Sequence, residues 1–506
     1  MLSPFRLVAI ALILFSVIRI AATWNVFSAT ADEGMHLVTG LEVLDAHRYD
    51  IHLVNPPLPR VITAFAPWLA GAHYDATRTI IPQTHAIFHS TGHYKTVLSL
   101  ARAMTLPFYL IAICATWMWA RREYDDSVAL AAIALLTTQP SMLAHAGVAT
   151  LDVAGTAGFA VSMLAFSRWL AQPTWRRASL LGLAYGFGIA CKLLCLVYVP
   201  VACLAIFLVR LACDQRTLDR ANAIVTILAV PLFAALMIWT SYGFSIGHDP
   251  RIGVAVAVPA PAFVHGLMDV IDGNEQGFLA YAMGRISDKG WWWYFPLALA
   301  LKTTLASLLL FAIGALTSIK DRRFVEPFAA TLAILLFSMT THVHIGVRYI
   351  LPIYVPLSIA AGVALVQLLR HRTKIVAVTF LAWHCIASTL AHPDYLAYFN
   401  VIAIRNPSYF LVDSNLDWGQ DLLRLRDFAR AQRIESMGVN VFGGEDLPAL
   451  GEPQRYFHAD AGTPISGWVA VSEGSYRINR IYGGFTWLVG KPYTRIGRSI
   501  RVYKLN

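Results

Sequence analysis

Residues 25–60 read NVFSATADEGMHLVTGLEVLDAHRYDIHLVNPPLPR, directly after an apolar run that begins beyond Arg6. Two adjacent carboxylates, Asp32 and Glu33, therefore stand at the mouth of a hydrophobic segment. His36 follows, and an Asn55-Pro56-Pro57-Leu58-Pro59 turn lies further along. An acidic pair in that position is costly unless a site uses it. The plainer alternative is a solvated loop start or a helix N-cap, where Asp and Glu are favoured.

Around this stretch the chain is strongly apolar. Of 506 residues, 57% are hydrophobic and 14% charged, and the mean hydropathy of +0.56 excludes ordinary water-soluble classes. An all-α polytopic membrane protein is expected. The net charge of +10 does not point to nucleic acid, because Lys and Arg fall in short clusters between apolar runs. The six cysteines (Cys114, Cys191, Cys195, Cys203, Cys213 and Cys385) lie in or beside apolar segments and read as small core residues. No convincing cleavage site precedes the acidic loop, so the first apolar run is expected to remain as a helix.

Windows of roughly 20 apolar residues predict about eleven membrane helices, near 7–25, 96–120, 127–147, 153–171, 178–191, 196–212, 221–241, 294–318, 325–341, 349–369 and 374–391. Basic clusters at Arg121-Arg122, Arg176-Arg177, Arg210 with Arg216 and Arg220, Lys320 with Arg322-Arg323, and Arg370 with Arg372 and Lys374 then share one side, the cytoplasmic one. The other side receives loop 26–95, the turn at Asp152, loop 242–293 and everything after 391. Domains of 1–391, spanning the membrane, and 392–506, outside it, follow. The second is more polar and glycine-punctuated, with strands expected at 409–412, 438–442, 468–471 and 499–503 and an amphipathic helix at 421–432, a small α/β unit. His73, His85, His89 and His93 in the first loop suit polar contacts of an interfacial helix.

Asp152 is the only charged residue between Asp126 and Arg168, and it emerges on the same side as Asp32. Two outward carboxylates from separate helices can serve as general base and partner for a hydroxyl nucleophile. Lys192 ends the fifth helix on that side and needs an anion, unless it snorkels. In Thr341-His342-Val343-His344-Ile345-Gly346-Val347-Arg348, Arg348 offers a planar fork suited to phosphate oxygens. His342 and His344 lack a nearby third ligand. No cofactor is assigned, and a divalent metal stays open. Lys302, deep in the eighth helix, is expected to face the bundle interior and meet an acid or a lipid phosphate. Asp413 and Asp417, in DSNLDWGQD, read as turn and capping residues, or as a turn facing the site that helps choose the acceptor.

The ordered set of Asp32-Glu33, the Pro-Pro-Leu turn, Asp152, Gly188 with Lys192, and Arg348-Tyr349 to Pro352 resembles the GT-C glycosyltransferases. More narrowly it is similar to glycosyltransferase family 39, which includes protein O-mannosyltransferases and aminoarabinose transferases. The resemblance spans about residues 7–391. It implies a GT-C membrane fold and an inverting enzyme that moves a sugar from a polyprenyl-phosphate carrier to an acceptor lipid, glycan or protein, at the periplasmic or outer face of a bacterial inner membrane. Asp32 would be the general base, with Glu33 and Asp152 positioning acceptor or sugar. Lys192 and Arg348 would hold the donor phosphate, and His342 and His344 would assist. No MIR-type carbohydrate domain is present, so the acceptor stays open. The competing reading is a transporter or flippase whose substrate path is lined by Lys192, Lys302 and Arg348. Such proteins usually carry repeats, and none is visible in the sequence. A lipid-binding assembly subunit is a third alternative.

Overall fold

The computed structural model describes residues 3–506 except 90–91, 214–219, 250, 252–255, 321–324, 446 and 452–454. Every apolar stretch read from the sequence contains helix. Six helices are long and apolar enough to cross a membrane: Pro4–Ala21, Tyr94–Glu123, Asp152–Ala171, Cys195–Ala212, Asn222–Ser241 and Val347–Arg370. Two broken pairs raise the number to eight, and Glu326–Ser338 and Lys374–Leu390 are shorter apolar helices. The expected eleven full spans are thus replaced by a mixture of whole, short and broken ones. The apolar run at 178–212 is two helices, Trp175–Cys191 and Cys195–Ala212, parted at Lys192.

The expected single helix over 294–318 is instead Tyr294–Lys302 and Leu305–Ser318, bent by 113°. The other broken pair, Asp126–Thr137 with Pro140–Ala146, bends by 64° where Pro140 interrupts it. Breaks at membrane depth survive only when the freed backbone groups find partners. Here the breaks satisfy one another: Gln139 Nε2 and Ser141 Oγ donate to the Lys302 carbonyl at 3.2 and 3.1 Å. Asn400 Nδ2 donates to the carbonyls of Ala300 and Thr303 at 2.6 and 3.0 Å.

Small residues bring the helices close. A Cβ on Gly158 would lie 2.3 Å from the Cα of Gly188, so Asp152–Ala171 and Trp175–Cys191 meet backbone to backbone. That contact sets Lys192 beside Asp152. At the opposite end of the bundle the basic residues gather, with Arg370 on Asp125 at 2.6 Å and Arg210 on Glu123 and Glu326 at 3.0 and 2.6 Å. Arg216 and Arg322-Arg323 lie outside the described residues.

The loop after the first helix folds into helices Glu33–Ala46, Pro57–Leu69 and Ile80–His89. Its histidines contact acids and carbonyls: His73 lies 3.1 Å from Asp45, His85 3.0 Å from the Gly444 carbonyl and His89 3.3 Å from Glu445. The last two tie this loop to the C-terminal unit. There a five-stranded mixed sheet runs in the order Arg455–His458, Ser436–Asn440, Gly467–Ser472, Ile500–Leu505, Thr494–Ile496. The first three strands are parallel and the remaining pairs antiparallel. Helix Leu422–Ala431 packs its leucines onto the sheet. The strand expected at 409–412 is a single helical turn, Pro407–Phe410, since Pro407 favours the start of a turn.

Candidate active site

Asp32 precedes helix Glu33–Ala46, and Arg348 lies in the short 3-10 segment Val347–Ile353 that opens a long buried helix. Arg348 Nη1 donates to Asp32 Oδ2 at 2.6 Å. Beside them, Lys192 Nζ donates to Asp152 Oδ1 at 2.5 Å, and the second Asp152 oxygen accepts from Thr150 Oγ1 at 2.9 Å. Tyr349 joins the two pairs, its ring centre 4.9 Å from Lys192 Nζ and 5.4 Å from Arg348 Cζ. His145 Nδ1 lies 3.7 Å from Asp152. The structure therefore gathers Asp32, Asp152, Lys192 and Arg348 at one end of the bundle. Asp32 is 25% exposed and Asp152 only 3%, so of the two carboxylates Asp32 is the one that meets solvent.

Glu33, though adjacent in sequence, points elsewhere. Both its oxygens bind Arg102, at 2.8 Å each, and they also accept from the Thr30 and Ala149 amides at 2.7 Å. This carboxylate is 1% exposed and its hydrogen bonds are made within the protein. It clips the Asp32 turn to the Asp152 turn. The expectation that Lys302 meets an acid is corrected: its partners are the carbonyls of Leu396 at 2.6 Å and Asn415 at 2.5 Å, which the stretch after helix Lys374–Leu390 and the Asp413–Asn415 turn bring to it. His342 binds Asn274 through its amide and ring. His344 sits under Tyr294 and Phe295. Among the described residues, no group of three or more His, Cys, Asp and Glu side chains could hold a metal ion.

Residues 86–239, which include Asp152 and Lys192, match the family model for dolichyl-phosphate-mannose-protein mannosyltransferase. Over the whole length, the chain is similar to the crystal structure of ArnT from Cupriavidus metallidurans bound to undecaprenyl phosphate, at 15% identity, covering 97% of each chain with a TM-score of 0.51. The chain has the GT-C fold. A second likeness, to the apo oligosaccharyltransferase of Archaeoglobus fulgidus, has 12% identity and a TM-score of 0.50, covering 84% of this chain and 58% of that one. No curated protein sequence matches. With this GT-C fold and its apolar spans, the chain is an integral membrane protein.

Within the GT-C fold, the DSNLDWGQD stretch does more than turn and cap. Trp418 lays its ring 4.3 Å from Arg348 Cζ. Its carbonyl accepts from Ala31 at 3.0 Å, next to Asp32, and Ser28 binds the carbonyls of Gly419 and Gln420 at 2.8 and 3.0 Å. Asn415 Oδ1 accepts from the Val347 amide at 2.9 Å, next to Arg348. One C-terminal segment thus grips both halves of the Asp32–Arg348 pair. Burial raises Asp413 to about 6, against the pull of nearby Arg348, and Asp417 to about 7.

Arg60, at the end of the proline turn, escaped the sequence reading. It is fully buried and donates to His36 Nδ1 at 3.2 Å and to Tyr49 and the His52 carbonyl at 2.5 and 2.9 Å. Burial and then Arg60 hold His52 down at about 4, so this nest carries one positive charge and neutral rings close to Asp32. A lone arginine ending an apolar turn was the available signal.

Proposed function

We propose that this chain transfers a sugar from a polyprenyl-phosphate carrier to an acceptor hydroxyl on the outer face of a bacterial inner membrane. The observation that carries the reading is the double ion pair, Arg348 on Asp32 and Lys192 on Asp152, joined through Tyr349. A polyprenyl-phosphate sugar keeps its chain in the bilayer and its reactive carbon at the interface. A site at the mouth of the bundle meets that carbon. The family model's description and the undecaprenyl phosphate named with ArnT agree in substrate class.

In the resting protein each cation is neutralised by a carboxylate. A donor phosphate competes for Arg348 and Lys192, which releases Asp32 to take the proton of the acceptor hydroxyl. The acceptor oxygen bonds to the anomeric carbon as that carbon's bond to the phosphate oxygen breaks. The electron pair leaves with the phosphate, whose growing charge the two cations stabilise. Asp152 keeps Lys192 in place. Glu33 and Lys302 act on the scaffold, and the acceptor is a lipid, glycan or protein hydroxyl.

The test uses nanodisc-embedded protein with decaprenyl phosphate carrying labelled mannose, glucose or N-acetylglucosamine, together with cell-envelope extract. Transfer of label to the extract is expected. Movement of labelled lipid across vesicles with no transfer to any acceptor contradicts the reading. Labelling of Ala31→Cys from outside intact spheroplasts is expected, and labelling only from inside overturns the orientation.

A further inference from the structure

Where the C-terminal unit meets the membrane bundle, a cavity of about 150 Å3 opens between Tyr294, His344, Asp413, Asp417, Ser475 and Asn479. At roughly 30 Å3 per molecule it has room for about five waters. Two polar atoms of its lining have no hydrogen-bond partner in the protein: Oδ1 of Asp417, a residue 1% exposed, and Nε2 of His344, 2% exposed. Each such buried, unmatched group is destabilising unless something completes its bond. Native folds retain them where something else completes the bond.

Their chemistry specifies the missing partner. Asp417 Oδ2 accepts from the Gly474 amide at 2.9 Å, with Ser472 and the Gly419 amide beside the carboxyl, and Oδ1 has no full hydrogen bond of its own. His344 Nδ1 accepts from the Trp291 amide at 3.3 Å, so the ring proton resides on Nε2, a donor. Burial and His342 hold this imidazole neutral, its pKa down at about 4. Asp413 has accepted the Ser414 amide at 2.5 Å and keeps acceptor capacity. The lining thus offers acceptors and a neutral donor about a small space walled on one side by the Tyr294 ring. The cavity adjoins the reacting pair: Ser414, next to Asp413, donates to the Ile345 carbonyl at 2.5 Å, three residues before Arg348.

We propose that this cavity is a subsite for one hydroxylated pyranose ring, held by Asp417 and Asp413 as acceptors and His344 as donor. The proposal rests on the reading of the Arg348 and Lys192 centre as a phosphate site, and it adds the place where a sugar sits beside it. The ring belongs either to the lipid-linked donor or to a glycan acceptor.

Binding to nanodisc-embedded wild type, Asp417→Asn, Asp413→Asn and His344→Gln proteins separates these sources. The ligands are bare decaprenyl phosphate, decaprenyl phosphate carrying mannose, glucose or N-acetylglucosamine, and the matching methyl pyranosides. Each substitution is expected to weaken at least one sugar-bearing ligand about tenfold and to leave bare decaprenyl phosphate unchanged. A loss confined to the lipid-linked sugars assigns the donor's ring, and one confined to the methyl pyranosides assigns the acceptor's. Unchanged binding of every sugar ligand, or an equal loss for bare decaprenyl phosphate, overturns the subsite. Failure of the wild type to bind bare decaprenyl phosphate defeats the phosphate reading instead, and the methyl pyranosides then still decide the cavity.

Discussion

Arg348 and Asp32, 316 residues apart in the chain, meet at 2.6 Å, and the Trp418 ring lies 4.3 Å from the Arg348 guanidinium carbon. The fork is thus oriented by a carboxylate and an aromatic face together, a setting that lysine does not reproduce. Arg348→Lys should weaken binding of bare decaprenyl phosphate about tenfold and Arg348→Ala more. Equilibrium binding in nanodiscs checks this, and equal affinities for all three proteins would remove the phosphate role.

The Glu33–Arg102 pair is a buried, fully bonded clip between two turns. Removing one partner of a buried, fully bonded ion pair costs about 3–5 kcal/mol, because the other charge is left uncompensated. Glu33→Ala should lower the apparent melting temperature sharply, and Glu33→Leu with Arg102→Met should recover much of it. The double variant should also loosen the Asp152 turn, since the Ala149 amide loses its acceptor. Thermal unfolding in detergent compares the three.

Trp418 supports the Asp32–Arg348 pair from the C-terminal side. Trp418→Ala removes the face over Arg348 and should reduce kcat about tenfold, the stack being worth roughly 1–2 kcal/mol when desolvated. Trp418→Phe should restore part of it. An unchanged kcat in Trp418→Ala would mean that the guanidinium needs no such support.

Asp417 should make stability depend on pH. Its folded value of about 7 lies above the ordinary carboxyl range, raised by burial. The folded state therefore binds more protons than the unfolded one between about pH 4 and 7, and stability falls as pH rises through that window. Asp417→Asn should flatten this slope and raise the melting temperature at pH 8 relative to wild type. A slope identical to wild type would contradict the assignment.

Much of this arrangement was readable from the chain. Apolar length and the placement of basic residues located the helices and put Asp32, Asp152, Lys192 and Arg348 on one side. Pairing was not readable: which cation meets which acid depends on the Gly158–Gly188 approach and on the break at Lys192, both tertiary. Glu33 was expected beside Asp32 in the same site because neighbours in sequence share a loop. Helix geometry turns it about 100° away, toward Arg102. Lys302 was expected to meet an acid or a lipid phosphate because its carbonyl partners, Leu396 and Asn415, lie about a hundred residues on and reach it only in the folded chain. DSNLDWGQD is tied to Ser28, Ala31 and Val347 by hydrogen bonds of its backbone and of Asn415, which no residue pattern advertises.

The most direct measurement is a parallel assay of Asp32→Asn for donor binding and for turnover with the donor and acceptor that the wild type uses. With its carboxylate partner neutralised, Arg348 should bind decaprenyl phosphate as tightly as in the wild type or more so, while kcat falls by about 10²–10⁴. Transfer at the wild-type rate by Asp32→Asn would contradict the role of Asp32 as the base.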